Sequence, residues 1–430
     1  MPTYFIPGAL RWVAVGLAGL TIASAAYAAE VKQLPQPLTL SQALLWAEDF
    51  NPTLIGARIE LRRRDGVLEH SDVAVPSNPE LEFGAAERKA RDGSTSTDID
   101  IRLSQEFWIA GQGGLRERAA EFRVDGGRLQ LDFLRTATRA RVRAAFLQAL
   151  VAERAVDTAQ DVLQVSQDLG NYAKRRLDAG EANRIEANTA RIGVGRAQAL
   201  LAQATNRQVQ ARLALADLMG LDPEKSITLR GRLKPAALKL PDQSALLAQA
   251  VTRRGDLAAA MQDVRASRQE LKLSQRQIIP NLKIFGSYGR EEGADIVGGG
   301  LAFELPVLHR YGGERKQAAA ELDAALLERD SLKLAVRRQV LSTLADYESA
   351  RAQVAALNDD VVAAARQNFD LTRKAFQAGE VGAPALTTAQ DTLINTRREY
   401  LNALDALVAS ATDLERATGG LVVMTNAAAN

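Results

Sequence analysis

One turn motif occurs twice in this sequence, 199 residues apart, and the duplication constrains the fold more than any other feature. Ala179-Gly180-Glu181 and Ala378-Gly379-Glu380 each lie between two long stretches of helical pattern. Glycine adopts the left-handed backbone conformation that ends a helix at little cost. Each copy therefore predicts a long helix, a tight reversal and a return helix, and the chain contains two such units.

The helices on either side of these turns are predicted to be long and to pack lengthwise on one another. No proline occurs between Leu115 and Ala179, so the first of them would be roughly 100 Å long. Small and apolar residues recur every three or four positions in the return helices, and a sustained 3.5-residue period predicts left-handed coiled coils. In the first return helix these residues include Ala187, Ala190, Val194, Ala197, Leu201, Ala204 and Leu215. Each aligns with a seam position of the second return helix 199 residues later.

Each half also contains a predicted β-hairpin, recognised by alternating apolar residues around a glycine-containing loop. The four strands are predicted at about 79–87, 98–109, 281–290 and 296–306. Phe107 and Trp108, at the end of the first hairpin, would suit the aromatic belt of a membrane interface. Taken alone, however, this hairpin fits the core strands of a soluble sheet better.

The repeat divides the chain into two halves of the same design: helix, β-hairpin, very long helix, turn and return helix. The predicted segments are a signal peptide at 1–28, a first half at 29–220, a linker at 221–241, a second half at 242–420 and a C-terminal tail at 421–430. The long helices are predicted at about 114–179, 182–219, 313–378 and 384–418. A period near 200 residues is too long for a solenoid and indicates a duplicated half.

A shorter helix opens each half. Thr39-Leu-Ser-Gln42 fits a capping box, and the helical pattern continues past Asn51-Pro52, where the proline predicts a kink. In the second half, Asp242 would cap a helix that runs to about Ile278. The sequence therefore predicts one helix before each hairpin, kinked in the first half and continuous in the second.

The N-terminus carries the pattern of an export signal. Arg11 precedes an apolar run from Trp12 to Ala23, and Ala26-Tyr27-Ala28 fits a cleavage site. About a dozen apolar residues fall short of the ~20 that a membrane-spanning helix needs. The mature protein is therefore expected to be exported without a spanning helix, so that residence in a membrane would require a β-barrel.

Composition excludes several classes of function. The 54 lysines and arginines balance 52 aspartates and glutamates, which gives no sign of nucleic-acid binding. The absence of cysteine removes thiolate metal sites, cysteine nucleophiles and N-terminal lipidation. The two histidines, His70 and His309, have no partner at the spacing of metal ligands. No catalytic, cofactor-binding or metal site is predicted, and the chain is not expected to be an enzyme.

Closure of a membrane barrel would require several chains. Two hairpins supply four strands of a length that crosses an outer membrane at a tilt. Known spanning barrels have at least about eight strands. If the hairpins span a membrane, copies of the chain must therefore share one barrel, and three copies would supply twelve strands.

Several motifs make the chain resemble the TolC-like family of outer-membrane efflux proteins. They are the duplication, the two Ala-Gly-Glu turns, and the stretch from Leu38-Thr-Leu-Ser-Gln-Ala-Leu44 to Asn51-Pro52. Three shorter motifs are similar to the heavy-metal-efflux, CzcC-like branch: Asn78-Pro79-Glu-Leu-Glu, Leu103-Ser104-Gln105 and Gly111-Gln112-Gly113. The resemblance covers essentially the whole mature chain.

The resemblance implies a mainly α-helical fold with a β-barrel part. It implies a homotrimer in which a 12-stranded barrel in the outer-membrane lipid of a Gram-negative bacterium continues into an α-helical barrel in the periplasm. Such a channel receives substrate from an RND-type inner-membrane pump through a periplasmic adaptor (membrane fusion) protein and passes it passively to the outside. The resemblance to the CzcC-like branch implies heavy-metal cations as that substrate. Two alternatives remain: the same channel serving drug efflux or type I protein secretion, and a periplasmic coiled-coil protein without a pore.

The resemblance also assigns roles near the two turns. The tips expected to contact the adaptor comprise Leu177, Gly180, Glu181, Phe376, Gly379, Glu380 and Val381. Family members often carry a ring of aspartates just after the second tip, but those positions here are Ala385 and Thr388. Asp391 is the nearest replacement, and Glu186 occupies an acidic position after the first tip. We hypothesise that Glu186 and Asp391 set the potential of the periplasmic aperture; ordinary solvated coiled-coil residues are the alternative.

Overall fold

The computed structural model describes residues 34–89, 93, 95–181, 183–231, 240–291 and 294–420. The predicted signal peptide and C-terminal tail, and part of the predicted linker, lie outside these residues. The chain divides into two units, Met1–Pro35 and Gln36–Asn430, and all the elements below belong to the second. None of the helices described is long and apolar enough to cross a lipid bilayer.

The described part of the second unit is mainly helical and has one small antiparallel sheet. In chain order the elements are α1 Leu40–Phe50, α2 Pro52–Ser71, β1 Glu80–Lys89, β2 Thr95–Phe107, α3 Gln112–Asp178, α4 Arg184–Leu218, α5 Gln243–Arg253, α6 Gly255–Arg276, β3 Leu282–Glu291, β4 Ala294–Phe303, α7 Gly312–Ala356, α8 Asp359–Gln377 and α9 Ala383–Ala417. The order within the first half, helices, hairpin, long helix and return helix, recurs in the second.

The first helix begins as its sequence predicts. Thr39 and Gln42 form a reciprocal capping box, which confirms that prediction. At Asn51-Pro52 the chain does more than kink, because α1 ends at Phe50 and α2 begins at Pro52. A residue before proline is disfavoured in the helical conformation, and Asn51 is extended here. Its side-chain amide donates to the backbone oxygen of Leu218 at 2.7 Å, at the end of α4.

The prediction of a single helix from Asp242 to Ile278 is wrong, because the helix breaks at Arg254 into α5 and α6. Arg254 is extended and buried, and its guanidinium donates to the backbone oxygen of Ala417 at 3.0 Å, at the end of α9. Ala417 lies 199 residues after Leu218. Both halves therefore tie a break in the opening helix to the same carbonyl of the return helix, with different side chains.

The second long helix is also interrupted, against the prediction of one helix over 313–378. It ends at Ala356 and restarts as α8 at Asp359. Asn358 caps the new start by accepting the N–H of Val361 at 3.1 Å, and Asp359 and Asp360 follow in the first turn. Such residues favour a helix N-terminus. The corresponding stretch of the first half lies within α3, which is continuous over its 67 residues.

The two hairpins join into one four-stranded sheet in the order β1-β2-β3-β4, with every neighbouring pair antiparallel. The junction between the halves runs from Phe107 opposite Leu282 to Ile99 opposite Arg290. In the described chain, β1 and β4 each have a strand neighbour on one side only. The sheet therefore has two open edges.

The register sorts the side chains of this sheet into an apolar face and a polar face, because directly opposed residues share a face. The apolar face carries, towards the helices and along most of its length, Leu81, Phe83, Ile99, Ile101, Leu103, Phe107, Leu282, Ile284, Tyr288, Val297, Leu301 and Phe303. At its end next to the hairpin loops it also carries Glu87, Lys89, Arg290 and Asp295. Many of these side chains are exposed, among them Phe83 and Val297 at 71% and 81%. A wide exposed apolar face of this kind marks an interaction surface.

The buried core runs along the helices rather than under the sheet. One cluster joins the opening helix of the second half to α3, α7 and α9, with Leu147, Leu246, Val340, Tyr347 and Leu414 at its centre. Within the described helices, Arg143 of α3 and Glu415 of α9 form a nearly buried ion pair at 2.5 Å. The core therefore packs the two halves against each other along their length.

Candidate functional site

The first tip is a glycine-terminated helix end that begins the reversal from α3 to α4. Gly180 has a φ of +76°, and the N–H of Glu181 donates to the backbone oxygen of Arg176 at 2.8 Å. The N–H of Gly180 donates to the backbone oxygen of Leu177 at 3.0 Å. These two bonds define a Schellman motif, which satisfies carbonyls that the ending helix would leave free.

The second tip repeats this backbone geometry. Gly379 has a φ of +79°, and the N–H of Glu380 donates to the backbone oxygen of Ala375 at 2.9 Å. A Cβ at Gly379 would meet no atom within 4 Å, and the same holds at Gly180. The glycines are therefore required by backbone conformation and not by lack of space. The predicted pair of matching turns is present.

Side chains hold the first tip through an arginine that the sequence analysis did not single out. Arg176 pairs with Glu186 across the reversal at 2.9 Å and also donates to the backbone oxygen of Glu181 at 3.0 Å. Its guanidinium lies 5.9 Å from the ring centres of both Tyr172 and Phe376. Arg176 thus connects α3, the turn, α4 and the other half of the chain.

The second tip has lost this ion pair. The positions 199 residues after Arg176 and Glu186 are Ala375 and Ala385. In place of charge, this tip buries Phe376 and Leu386 in an apolar cluster to which α3 also contributes. The ring of Phe376 meets that of Tyr172 edge to face at 5.6 Å. One tip is therefore closed by charge and the other by apolar packing.

The cap at the start of each return helix differs in the same way. Asn183 accepts the N–H of Glu186 at 2.9 Å and so caps α4. The corresponding position before α9 is Gly382, which makes no side-chain cap. The difference in cap strength is small, because glycine is itself a favourable N-cap and an asparagine cap exceeds it by only about a few tenths of a kcal/mol.

The residues predicted to line the aperture do not share one environment. The Glu186 side chain is 16% exposed and is paired with Arg176, as above. Asp391 is half-exposed, and its carboxylate lies 3.6 Å from the guanidinium of Arg196 on α4. Ala385 and Thr388 are exposed, and the Thr388 hydroxyl donates back to its own helix. Each of the two acids therefore faces an arginine.

The predicted contact residues divide into exposed and covered ones. Four of them, Gly180, Glu181, Gly379 and Glu380, are exposed at the turns, and Leu177 and Val381 are half-buried beside them. Phe376 is only 4% exposed. Its side chain supports the second tip from inside and does not contribute to the surface that a partner could touch.

The predicted interface aromatics lie at the corner where β2 leads into α3. Phe107 is the last residue of β2 and is opposite Leu282. Trp108 packs over the first turn of α3, where a Cβ on Gly113 would lie 2.6 Å from its ring. The guanidinium of Arg116 is 5.5 Å from the same ring. Trp108 therefore fixes the strand-to-helix corner, a role that its place in the sequence did not indicate.

The polar face of the sheet is rich in carboxylates. It carries six acids, Glu80, Glu82, Asp98, Asp100, Glu106 and Glu291, and three bases, Arg88, Arg102 and Lys283. Each base pairs with an acid: Lys283 with Glu80 at 2.7 Å, Arg102 with Glu82 at 3.8 Å, and Arg88 with both Asp98 and Glu291. This face consequently carries a net negative charge. Over the residues described, no three acids or histidines cluster as a metal site.

Comparisons with known proteins bear on the whole of this architecture. The model of the family described as "Outer membrane efflux protein" matches residues 51–221 and 246–420. The chain is 26% identical to the cobalt-zinc-cadmium resistance protein CzcC of Cupriavidus metallidurans, over 89% of this chain and 90% of that protein. It is 27% identical to the pyoverdine export outer membrane protein OpmQ of Pseudomonas putida, over 73% and 67%.

Solved structures share the fold at lower identity. The crystal structure of the Campylobacter jejuni CmeC outer membrane channel superposes with a TM-score of 0.77 at 15% identity. The match covers 97% of this chain and 94% of that one. The predicted resemblance to TolC-like channels is thereby confirmed, both in sequence and in fold.

Proposed function

This chain belongs to the outer membrane efflux protein family, and we propose that three copies of it form the exit duct of a tripartite efflux system in the outer membrane. The substrate would be heavy-metal cations, which would pass through the duct without being chemically changed by the protein. The observation that carries this proposal is the four-stranded sheet with one open apolar face, one acidic face and two open edges.

The sheet supports a barrel shared between chains. Its edge strands β1 and β4 expose backbone groups that a neighbouring copy could pair. Its apolar face suits the lipid, because lipid-facing and lumen-facing residues alternate along the strands of a membrane barrel. Four strands from each of three copies would give the twelve-stranded barrel that the family resemblance implies.

The helices support the same closure. Within one chain, α3 packs against both α2 and α6, whereas its counterpart α7 packs against α5, α6 and α9 but makes no comparable contact with α2 among the described residues. The exposed residues Leu327, Leu334 and Leu341 repeat every seven positions along α7. A seven-residue apolar repeat is the seam of a coiled coil. The α2 of a neighbouring copy, which exposes Ile55 and Ile59, is the matching occupant.

The acidic face of the sheet supports cations as cargo. In the proposed barrel this face lines the lumen, where six acids against three bases would concentrate cations. The relation to a cobalt-zinc-cadmium resistance protein, over nearly the whole length of both chains, favours metal ions among the possible cations. At the helical tips, Glu186 and Asp391 would add to the potential of the mouth only in part, because each lies beside an arginine.

The two tips support docking of a periplasmic adaptor, through which an inner-membrane pump would deliver the cargo. Gly180 and Gly379 present their turns to solvent at the ends of the long helices. The exposed Glu181 and Glu380, next to them, are the charged residues that a partner would meet first. Phe376 would act indirectly, by keeping the second turn in place.

Two measurements test the proposal. Deletion of the gene should sensitise the bacterium to zinc, cobalt or cadmium, and the purified protein in a planar bilayer should conduct cations in preference to anions. Replacement of Asp100 and Glu106 with asparagine and glutamine should move the reversal potential towards zero. A strain with unchanged metal tolerance would refute metal cargo, and a protein without conductance would refute the channel.

A second cargo follows from the other relatives. The similarity to a pyoverdine export protein is comparable in identity, so a channel for organic compounds or secreted proteins is the alternative assignment. A strain that tolerates metals normally but becomes sensitive to drugs would favour it. A periplasmic coiled-coil protein without a pore would instead fractionate as soluble and elongated, and not as a heat-modifiable trimer in the outer membrane.

A further inference from the structure

A groove on the helical part of the molecule carries features of a ligand site. Helix α9 packs against both α3 and α8, and a cavity of about 410 Å³ lies among the three helices. Phe369 of α8 and Leu393 of α9 give it apolar lining, while Arg366 and Arg397 open onto it from the same two helices. Its volume lies within the range of small-molecule sites, which combine apolar walls with a few charged groups.

Arg397 is the unusual member of this groove. It is half-buried, and among the described residues its guanidinium forms no hydrogen bond or ion pair. Burial lowers the pKa of Arg397, and the nearby Arg366 and Arg154 lower it further, although Asp161 and Asp370 act in the opposite direction. Arginine nevertheless remains protonated in proteins. The groove therefore holds a positive charge in surroundings that disfavour it.

Among the described residues, no acid of the groove forms an ion pair with Arg397. Asp370 lies 3.2 Å from Arg373 and 4.0 Å from Arg366, so one carboxylate serves two guanidinium groups. Asp161 is exposed on α3. Because a buried or half-buried charge is stabilised by an opposite charge with hydrogen bonds, an additional anion would complete this arrangement.

We propose that this groove binds an organic anion with one oxyanion head, such as a carboxylate, and a small apolar body. The head would lie between Arg397 and Arg366, whose planar guanidinium groups match the geometry of an oxyanion. The body would contact Phe369 and Leu393. The site lies roughly 20 Å along α9 from the second tip. It is separate from the acidic face of the sheet and does not depend on the cargo of the channel.

The experiment uses the full chain in lipid nanodiscs and the probe 4-(trifluoromethyl)phenylacetate, observed by fluorine NMR relaxation. The uncharged amide of the same compound and empty nanodiscs serve as controls. The carboxylate is expected to bind at least about tenfold more tightly than the amide, because its hydrogen bonds to guanidinium are charge-assisted. Binding should weaken as salt increases. Equal binding of both compounds, or binding of neither, would overturn the proposal.

Two neighbouring arginines provide a matched pair of variants. Arg397→Gln should weaken binding of the carboxylate about tenfold or more. Arg398→Gln, one position along α9 and lining a different cavity, should change it by less than about twofold. Equal effects of the two variants would contradict the site. If Arg397→Gln fails to assemble, Arg366→Gln gives the same test, since Arg366 is exposed and its loss leaves the helix packing unchanged.

Discussion

The two helical tips have the same backbone and different side chains. Both end a long helix with a glycine in the left-handed conformation and the same pair of hydrogen bonds. The first tip then depends on the ion pair of Arg176 with Glu186, and the second on the buried ring of Phe376. The difference shows that a duplicated turn keeps what the backbone requires, while the means of stabilising it is free to change.

The largest effect is expected from removing the buried ring of the second tip. Phe376→Ala should lower the local free energy of opening by about 3 kcal/mol, as for other large-to-small changes in a core. Hydrogen exchange of the amides in α8 and the start of α9 should then accelerate roughly a hundredfold. The matched control is Leu177→Ala, the corresponding and more exposed position of the first tip. Equal acceleration at both tips would remove the distinction between them.

The next effect should be the same at both tips, because it concerns the backbone. Gly180→Val and Gly379→Val should each cost about 1–3 kcal/mol, since a β-branched residue is strained in the left-handed region. Export should fall in both variants at normal protein level. Gly180→Asn and Gly379→Asn should be milder, because asparagine tolerates this conformation. Full export by either valine variant would contradict the role of that turn.

A smaller effect is expected from the ion pair. Arg176→Ala should destabilise the first tip by about 0.5–1 kcal/mol, because the pair is partly exposed and screened by salt. The reciprocal change, Ala375→Arg with Ala385→Glu, transfers the pair to the second tip and should slow its exchange slightly. Both effects should diminish in high salt. An effect of Arg176→Ala that persists in high salt would indicate that its contacts with Tyr172 and Phe376 matter more than its charge.

The smallest effect concerns the proposed aperture. Asp391→Ala should reduce block of the single-channel current by divalent cations only modestly, because Arg196 lies close to that carboxylate. Arg196→Gln should have the opposite effect and increase the block, since it removes the positive side chain beside Asp391. Thr388→Ala, at an uncharged position of the same helix, is the control. Unchanged block in both charge variants would exclude Asp391 from the aperture.

The features that sequence predicts well here are those determined by local chemistry. The two glycine turns, the capping box at Thr39 and Gln42, and the four strands each depend on residues close together in the chain. The 199-residue repeat adds a check, because a local signal that occurs twice is difficult to obtain by chance. The turn geometry at Gly180 and Gly379 could therefore be predicted without any knowledge of what surrounds it.

The features that sequence does not reveal depend on contacts between distant residues. Arg254 ends a helix because its guanidinium reaches Ala417, 163 residues away. The break before Asp359 is not evident from periodicity, because the helical pattern continues through Leu357 despite the capping residues that follow. The role of Arg176 is not evident from local sequence, because its partner Glu186 lies across the turn. Comparison with Ala375 and Ala385 in the other half was the one signal that could have identified the pair.

The interruption between α7 and α8 makes the two long arms mechanically unequal. Helix α3 has an unbroken ladder of backbone hydrogen bonds, so a twist applied at the first tip is transmitted along its full length. At Leu357 the ladder of the second arm is interrupted, and α8 is a lever of roughly 28 Å with a joint at its far end. The second arm should therefore bend more readily at that joint than α3 does at the corresponding place. The first arm is one continuous helix, and the second is two helices that meet at a flexible joint.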